Sequence, residues 1–439
     1  MSPATVTSGD PITFGSGTTR HLDDKEVHGM PTEDFTQANE VQELLAELKR
    51  ACEGKAFSDV IDDEGNQYVD LVMEGGGVLG VALVGYTYVL EEMGIRFLRV
   101  GGTSAGSINA VLVAGLGTPQ ERKSTKLVKE LAEVDFWTFV DGDDDVRDFV
   151  QTLVRRPGVF GLSIKGVQIF DSIFGKLGLN PGDAFYDWLS NLLSREGVGT
   201  TRKLRERMAQ LPLGLRTREG EELGPDRANP YLALVAADVS TQTKIEFPRM
   251  APLYWADPDE VDPALYVRAS MSIPYFFYPL RVRDVPRGDR ARARWEKLAS
   301  YEEEPPEICT LVDGGIMSNF PIDLFHLPEK IPAAPTFGAK LGTDQRRSAE
   351  INSPQRLGAA VFRSASHTLD YDFIKRNPDY RKLVAYIDTG SHGWLDFDME
   401  KEDKVDLFVR GARKAAEFLT TFDWEGYKKI RRRKKELYV

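Results

Sequence analysis

Between residues 68 and 116 the chain runs twice through one pattern, and this repetition restricts its possible folds more than any other feature. Val69, Leu71, Val72 and Met73 form a short apolar run that ends in glycines, as a buried strand entering a tight turn does. Residues 82–93 follow as a helix stopped by Gly94, and residues 95–100 as a second strand. Gly101–Gly106 make a second sharp turn, and residues 107–116 a second apolar helix. Strand, helix, strand, helix at this spacing implies a parallel sheet with helices on its faces. The expected class is α/β, a three-layer α/β/α arrangement around a mainly parallel sheet, with helical additions.

Further strands are expected at residues 231–237, 243–247, 308–312 and 337–341. The charged stretch 281–307 is too long for an ordinary connection and reads as a surface excursion. A chain of 439 residues exceeds the usual size of one domain. Its expected organisation is a flexible tail (1–40), a lead-in helix and loop (41–67), a main domain (68–345) holding a helical region (117–228), and a C-terminal helical region with a basic tail (346–439). Within 117–228, Asn180-Pro181-Gly182-Asp183 precedes an amphipathic run, and Asp183 is placed to cap it.

The totals exclude several classes. A net charge of −12 argues against a nucleic-acid partner, which needs a clustered cationic face. The two cysteines, Cys52 and Cys309, lie far apart, so neither a disulfide framework nor a cysteine zinc site is expected. Asp141, Asp143 and Asp145 alternate as in a calcium loop, but Val146 and Thr152 stand where Gly and Glu belong, and a solvated loop is the better reading. No metal and no cofactor is expected. An apolar leader and a transmembrane run are both missing from the sequence, so the expected location is the cytoplasm.

Three segments carry chemistry, each at the end of a predicted strand, where functional groups of α/β sheets collect. Gly102-Thr103-Ser104-Ala105-Gly106 is a G-x-S-x-G between strand and helix. Small residues at Gly102 and Gly106 let the turn lift the Ser104 hydroxyl above the sheet, and the following helix points its amides at developing negative charge. In Gly75-Gly76-Gly77-Val78-Leu79-Gly80, successive glycines let main-chain N–H groups converge on an oxyanion. The same letters fit a dinucleotide loop, but about twenty residues on, the chain reads Leu98-Arg99-Val100, with no acid for a ribose hydroxyl. They lack the Lys-Ser/Thr of a phosphate loop, while a purely structural turn stays open. The third segment, Leu311-Val312-Asp313-Gly314-Gly315, leads to Asn319-Phe320-Pro321; alone, Asp313 would be a turn former.

Together and in this order the three segments resemble the patatin-like phospholipase family. Asn180–Asp183, Ala236-Ala237-Asp238-Val239-Ser240 and Ala269-Ser270-Met271-Ser272-Ile273-Pro274 are similar too, so the likeness spans roughly residues 68 to 345. The resemblance implies a lipid acyl hydrolase with a Ser104–Asp313 dyad. It further implies an oxyanion hole made by the amides of Gly75, Gly76, Gly77 and Val78, with Gly80, Gly102, Gly106, Gly314 and Gly315 as supporting turns. Its implied substrate is a lipid ester. Many members carry Arg or Lys at the position of Leu79, and here that cation is absent.

Two other readings remain. One is an α/β-hydrolase with a Ser-His-Asp triad, for which His326, His367 and His392 follow Asp313 in the right order. The other is a non-catalytic lipid-binding or storage protein of the same fold. The basic tail (Lys428, Lys429, Arg431, Arg432, Arg433, Lys434 and Lys435) follows an amphipathic helix, which suggests peripheral contact with an anionic membrane; solvated helix ends are the plainer account.

Overall fold

A computed structural model describes residues 30–155, 175–327, 330–342, 351, 357, 360, 364 and 372–437. Its strands are β1 Val60–Ile61, β2 Gln67–Met73, β3 Ile95–Thr103, β4 Arg216–Thr217, β5 Tyr231–Asp238, β6 Thr243–Phe247, β7 Leu280–Val282, β8 Cys309–Asp313, β9 Thr336–Leu341 and β10 Val384–Ile387. They form one sheet in the order β10-β9-β2-β3-β5-β8-β7, with β6 on β5, β1 on β2 and β4 on β1. From β10 to β5 every neighbouring pair is parallel; β6, β7 and β8 run antiparallel to their partners.

β2, β3 and β5 are buried along nearly their whole length, as continuous apolar strands covered on both faces must be. Adjacent residues of β3 show the two covers, because successive Cβ positions point to opposite faces. A Cβ on Gly101 would lie 2.8 Å from Leu324, and one on Gly102 would lie 2.5 Å from Gly106 in the helix Ala105–Gly115. In β9, Phe337 packs edge-on against Phe418 at 4.9 Å, while Gly338 faces Phe320. The fold is therefore the expected three-layer α/β arrangement with a mainly parallel core.

On one face the helix Val81–Glu92 crosses the long helix Lys401–Thr421 with the backbones in contact. A side chain on Gly85 would strike the Phe408 carbonyl, and one on Gly411 the Ala82 carbonyl. Glycine is what permits this approach.

Several expectations are corrected. Of the tail foreseen over residues 1–40, residues 1–29 lie outside the described residues, but residues 30–40 are packed: Met30 and Phe35 are buried, and Phe35 meets Phe408 at 5.4 Å. The excursion 281–307 contains the end of β7 and a helix, Asp289–Ala299, whose Trp295 is fully buried beside Tyr254. Asp183 does not cap its helix. Gly182 takes the cap position in a left-handed conformation, and the carboxylate of Asp141, from the loop expected to be solvated, accepts from the Gly182 and Ala184 amides at 2.9 and 3.0 Å. The C-terminal region also adds a parallel strand, β10, to the sheet.

Candidate active site

The sheet's register brings the three segments to one level. Met73 pairs with Gly102, Thr103 with Val235, and Ala236 with Asp313. The residues just beyond Met73 and Thr103 and the end of β8 thus share one edge of the sheet, although β8 runs opposite to β5. This juxtaposition depends on strand order, which no local motif carries.

Ser104 sits between β3 and the helix Ala105–Gly115 with φ 52° and ψ −122°, a conformation rare for a residue with a side chain. Surrounding contacts hold it there. Its N–H donates to Ser270 Oγ at 2.8 Å, and that hydroxyl in turn donates to the Val235 carbonyl at 2.6 Å. Neither flanking glycine tolerates a side chain: a Cβ on Gly106 would overlap the Met73 carbonyl, and one on Gly102 would strike Gly106. The Ser104 side chain is buried, with Oγ 3.4 Å from the Met271 sulfur.

The glycine loop is anchored at both ends. Buried Glu74 accepts from the Leu341 amide at 2.6 Å and pairs with Lys340. Gly75 donates to the Asn319 carbonyl at 3.0 Å, and the Asn319 amide returns a bond to the Gly75 carbonyl at 3.2 Å. The Val78 amide donates to the Trp394 carbonyl at 3.1 Å. Two of the four amides expected to line the oxyanion hole are therefore already engaged. Gly76 and Gly77 have no partner for their N–H among the described residues. Gly77 has φ +55°, and a Cβ there would overlap the Trp394 carbonyl, so this position needs glycine for both conformation and space. Gly80 lies against Ala105, and Leu79 is packed into the core rather than turned to the site.

Asp313 is buried. Burial raises its pKa to about 6, against the Gly315 amide and the Ser104 hydroxyl, whose hydrogen bonds favour the carboxylate. The Gly315 bond is 2.7 Å, and the Asp313 amide donates to the Ser272 carbonyl at 2.9 Å. Gly314 lies so close to the Val235 carbonyl that no side chain fits, and Gly315 faces Asn319.

An apolar cavity opens beside these groups. Gly77 and Val78 line it at the loop, and Ala105 and Met271 flank Ser104; Leu112, Leu131 and Phe397 are among its other walls. Its apolar walls suit a hydrocarbon group.

Other candidates fall elsewhere. His326 Nδ1 lies 2.7 Å from the Tyr380 hydroxyl, and burial lowers its pKa to about 4. His392 pairs with Asp406 at 2.8 Å, and His367 lies outside the described residues. Among the described residues no cluster of His, Cys, Asp and Glu could hold a metal, and no helix is long and apolar enough to cross a membrane. Both cysteines are buried and free.

The basic tail is not a free cationic strip. It forms the helix Trp424–Leu437, in which Lys428 pairs with Asp59 at 2.7 Å, and Arg431 at 3.2 Å and Lys434 pair with fully buried Asp379. Lys429, Arg432, Arg433 and Lys435 remain exposed. Ser270, Met271, Asn319 and Trp394 are the site residues whose roles sequence reading missed. The first two lie in a stretch singled out without a role, Asn319 follows the Asp-Gly-Gly turn, and nothing local marks Trp394.

Fold and site together define an α/β protein with a buried serine on a strained strand-to-helix turn. The chain matches the family model described as patatin-like phospholipase over residues 71–326 and belongs to that family. It is 30% identical to the uncharacterized protein YqhO of Bacillus subtilis over 354 residues, 80% of this chain and 98% of that protein. Among solved structures it is similar to VipD from Legionella pneumophila (16% identity, TM-score 0.39, 83% of this chain and 70% of that one). It is also similar to ExoU from Pseudomonas aeruginosa, solved in complex with SpcU (15% identity, TM-score 0.32, 81% and 52%). The family assignment rests on the model match and on YqhO. A lipid hydrolase is the activity that the family implies.

Proposed function

We infer that the protein hydrolyses fatty-acyl esters of lipids, as a phospholipase A or lysophospholipase, with Ser104 as nucleophile and Asp313 as base. Ser104 Oγ attacks the ester carbonyl carbon while Asp313 takes its proton. The carbonyl oxygen becomes an oxyanion facing the Gly76 and Gly77 amides, each such donor being worth ~2.7–4 kcal/mol. Collapse expels the alcohol, which leaves with the proton from Asp313. Water, deprotonated by the same carboxylate, then attacks the acyl carbon, and the proton passes from Asp313 to Ser104 Oγ as the fatty acid leaves. A buried carboxylate with a pKa of about 6 is ionised at neutral pH yet more basic than an exposed one, which suits this role.

The observation that carries the reading is the position of the apolar cavity. Its walls include Gly77 of the loop and the residues that flank Ser104, so an acyl chain laid in it would bring its carbonyl to the hydroxyl. The test is labelling by a fluorophosphonate together with mass spectrometry of fatty acids released from diacyl-, lysophospho- and neutral lipids. Labelling and release by wild type, both lost in Ser104→Ala, are expected. Release that persists in Ser104→Ala would end this reading. The bonds made by His326 and His392 give the triad reading no support.

A further inference from the structure

Ser104 and Asp313 both lean on one three-residue turn, Ser270-Met271-Ser272, at the end of the helix Pro263–Ser270. Ser270 Oγ accepts from the Ser104 amide, the Met271 sulfur touches Ser104 Oγ, and the Ser272 carbonyl accepts from the Asp313 amide. β3, which ends just before Ser104, and β8, which ends in Asp313, are not paired with each other, because β5 lies between them. The turn therefore links the two strand ends across β5, and its place sets how the hydroxyl and the carboxylate meet.

Arg268 holds that turn. Its side chain leaves the same helix, and the residue is only 5% exposed. Nη1 donates to Ser272 Oγ at 2.6 Å, while Nη2 donates to the carbonyls of Tyr278, at 2.9 Å, and Pro181. The Ser272 hydroxyl donates back to the Arg268 carbonyl at 2.9 Å, which closes the turn on the helix end. Gly182 has φ +78°, and a Cβ there would lie 2.6 Å from Arg268 Nε, so glycine is what leaves room for the guanidinium. The guanidinium also lies 5.6 Å from the ring of Phe277, a wall of the cavity. Burial lowers its pKa to about 10, against the carboxylates of Asp141 and Asp183, so the side chain stays cationic at neutral pH. An apolar side chain of similar length would fill this space without the cost of burying a charge. What arginine adds is a planar fork whose arms reach partners in different directions.

We propose that Arg268 is a positioning residue for the dyad: through Ser272 it fixes the turn that seats both Ser104 and Asp313, and it ties that turn to Pro181 and Tyr278 beside the cavity wall. The guanidinium bonds to neither reacting group, so its influence passes through Ser272. The proposal rests on the reading of Ser104 and Asp313 as nucleophile and base.

The test is steady-state hydrolysis of p-nitrophenyl butyrate by the full chain and its Arg268→Lys, Ser272→Ala and double variants, beside Ser104→Ala and Asp313→Asn. Arg268→Lys keeps the charge and loses the fork; it should lower kcat ~10²-fold while KM changes less than about threefold, because the defect is a misplaced base rather than weaker binding. The acid limb of kcat/KM should move to higher pH, since a displaced Ser104 hydroxyl no longer favours the Asp313 carboxylate. Ser272→Ala keeps the carbonyl that Asp313 bonds and removes the hydroxyl that Arg268 holds, and it should lower kcat ~10-fold. The double variant should be within about twofold of Arg268→Lys alone, because both substitutions break one contact. A raised KM with kcat intact, an acid limb that stays in place, or effects that multiply in the double variant would each overturn the proposal. If Arg268→Lys melts below the assay temperature, Ser272→Ala decides alone, and an unchanged kcat there overturns it. Loss of hydrolysis in Ser104→Ala and Asp313→Asn checks the dyad separately: wild-type kcat in Arg268→Lys beside that loss removes the positioning role and spares the dyad.

Discussion

The acid–base behaviour of Asp313 is the most direct consequence of the site's construction. With a folded pKa of about 6, kcat/KM should fall tenfold per pH unit below about 6 as the base is protonated, which a pH profile with a soluble ester checks. The same group affects stability with a definite sign. Its folded pKa lies above the ordinary 3.8, so the folded state binds the proton more tightly than the unfolded chain. Stability from this group is present below pH ~4 and is lost as pH rises through about 6, leaving a penalty of roughly 3 kcal/mol at neutral pH. Asp313→Asn removes that penalty. It should abolish hydrolysis while raising the melting temperature at pH 7.5 and leaving it nearly unchanged at pH 4. A variant that melts lower at pH 7.5 would contradict the burial argument. At Gly77, Ala both forces a left-handed alanine and overlaps the Trp394 carbonyl, so displacement of the loop should lower kcat by ~10²–10³, the loss of one oxyanion donor, with far less effect on KM.

Among the elements, the crossing of Val81–Glu92 with Lys401–Thr421 is the most sensitive contact. Gly85→Val or Gly411→Val puts a branched side chain where a backbone carbonyl already lies, so the helices must separate. Destabilisation at or above the ~1–3 kcal/mol of ordinary overpacking is expected in urea unfolding, and a loss below ~0.5 kcal/mol would show that the helices slide apart freely. The helix Asp183–Arg195 depends on a cap from a distant loop. Asp141→Ala leaves the Gly182 and Ala184 amides without their acceptor and should cost ~1–2 kcal/mol, which Asp141→Asn partly restores. Three aspartates spaced as in a calcium loop thus contain the acceptor for a helix that begins some forty residues later. Sequence reading rejected calcium from the local pattern, but the true partner could not be read there, because the contact is tertiary.

In the whole molecule, the region after residue 345 is part of the fold rather than an addition to it. β10 extends the sheet, the helix Lys401–Thr421 covers one face, and the helix Trp424–Leu437 brings Arg431 to buried Asp379. Arg431→Ala leaves Asp379 fully buried with Lys434 as its remaining ion-pair partner, and breaking such a pair costs ~3–5 kcal/mol. A fall in melting temperature of several degrees, with pelleting on anionic vesicles no weaker than that of wild type, is the expected outcome. A tail that served only to meet membranes would give the reverse. The C-terminal region also reaches the site itself, since the Trp394 carbonyl holds the glycine loop and Phe397 walls the cavity. Both residues lie beyond the stretch matched by the family model.

The sequence by itself determined the strands β2, β3, β5, β6, β8 and β9, the two glycine turns and the helices after them, because each is specified by neighbours within a few residues. Apolar runs of strand length and glycines at Gly102 and Gly106 need no distant partner to be recognised. The tertiary structure alone decided which amides stay free in the loop and what holds Ser104 in its left-handed conformation. It also decided that three of the seven cations of an apparent membrane tag are held in ion pairs with Asp59 and Asp379. Each of these depends on which carbonyl, hydroxyl or carboxylate arrives from far along the chain, and strand order and helix packing set that arrival.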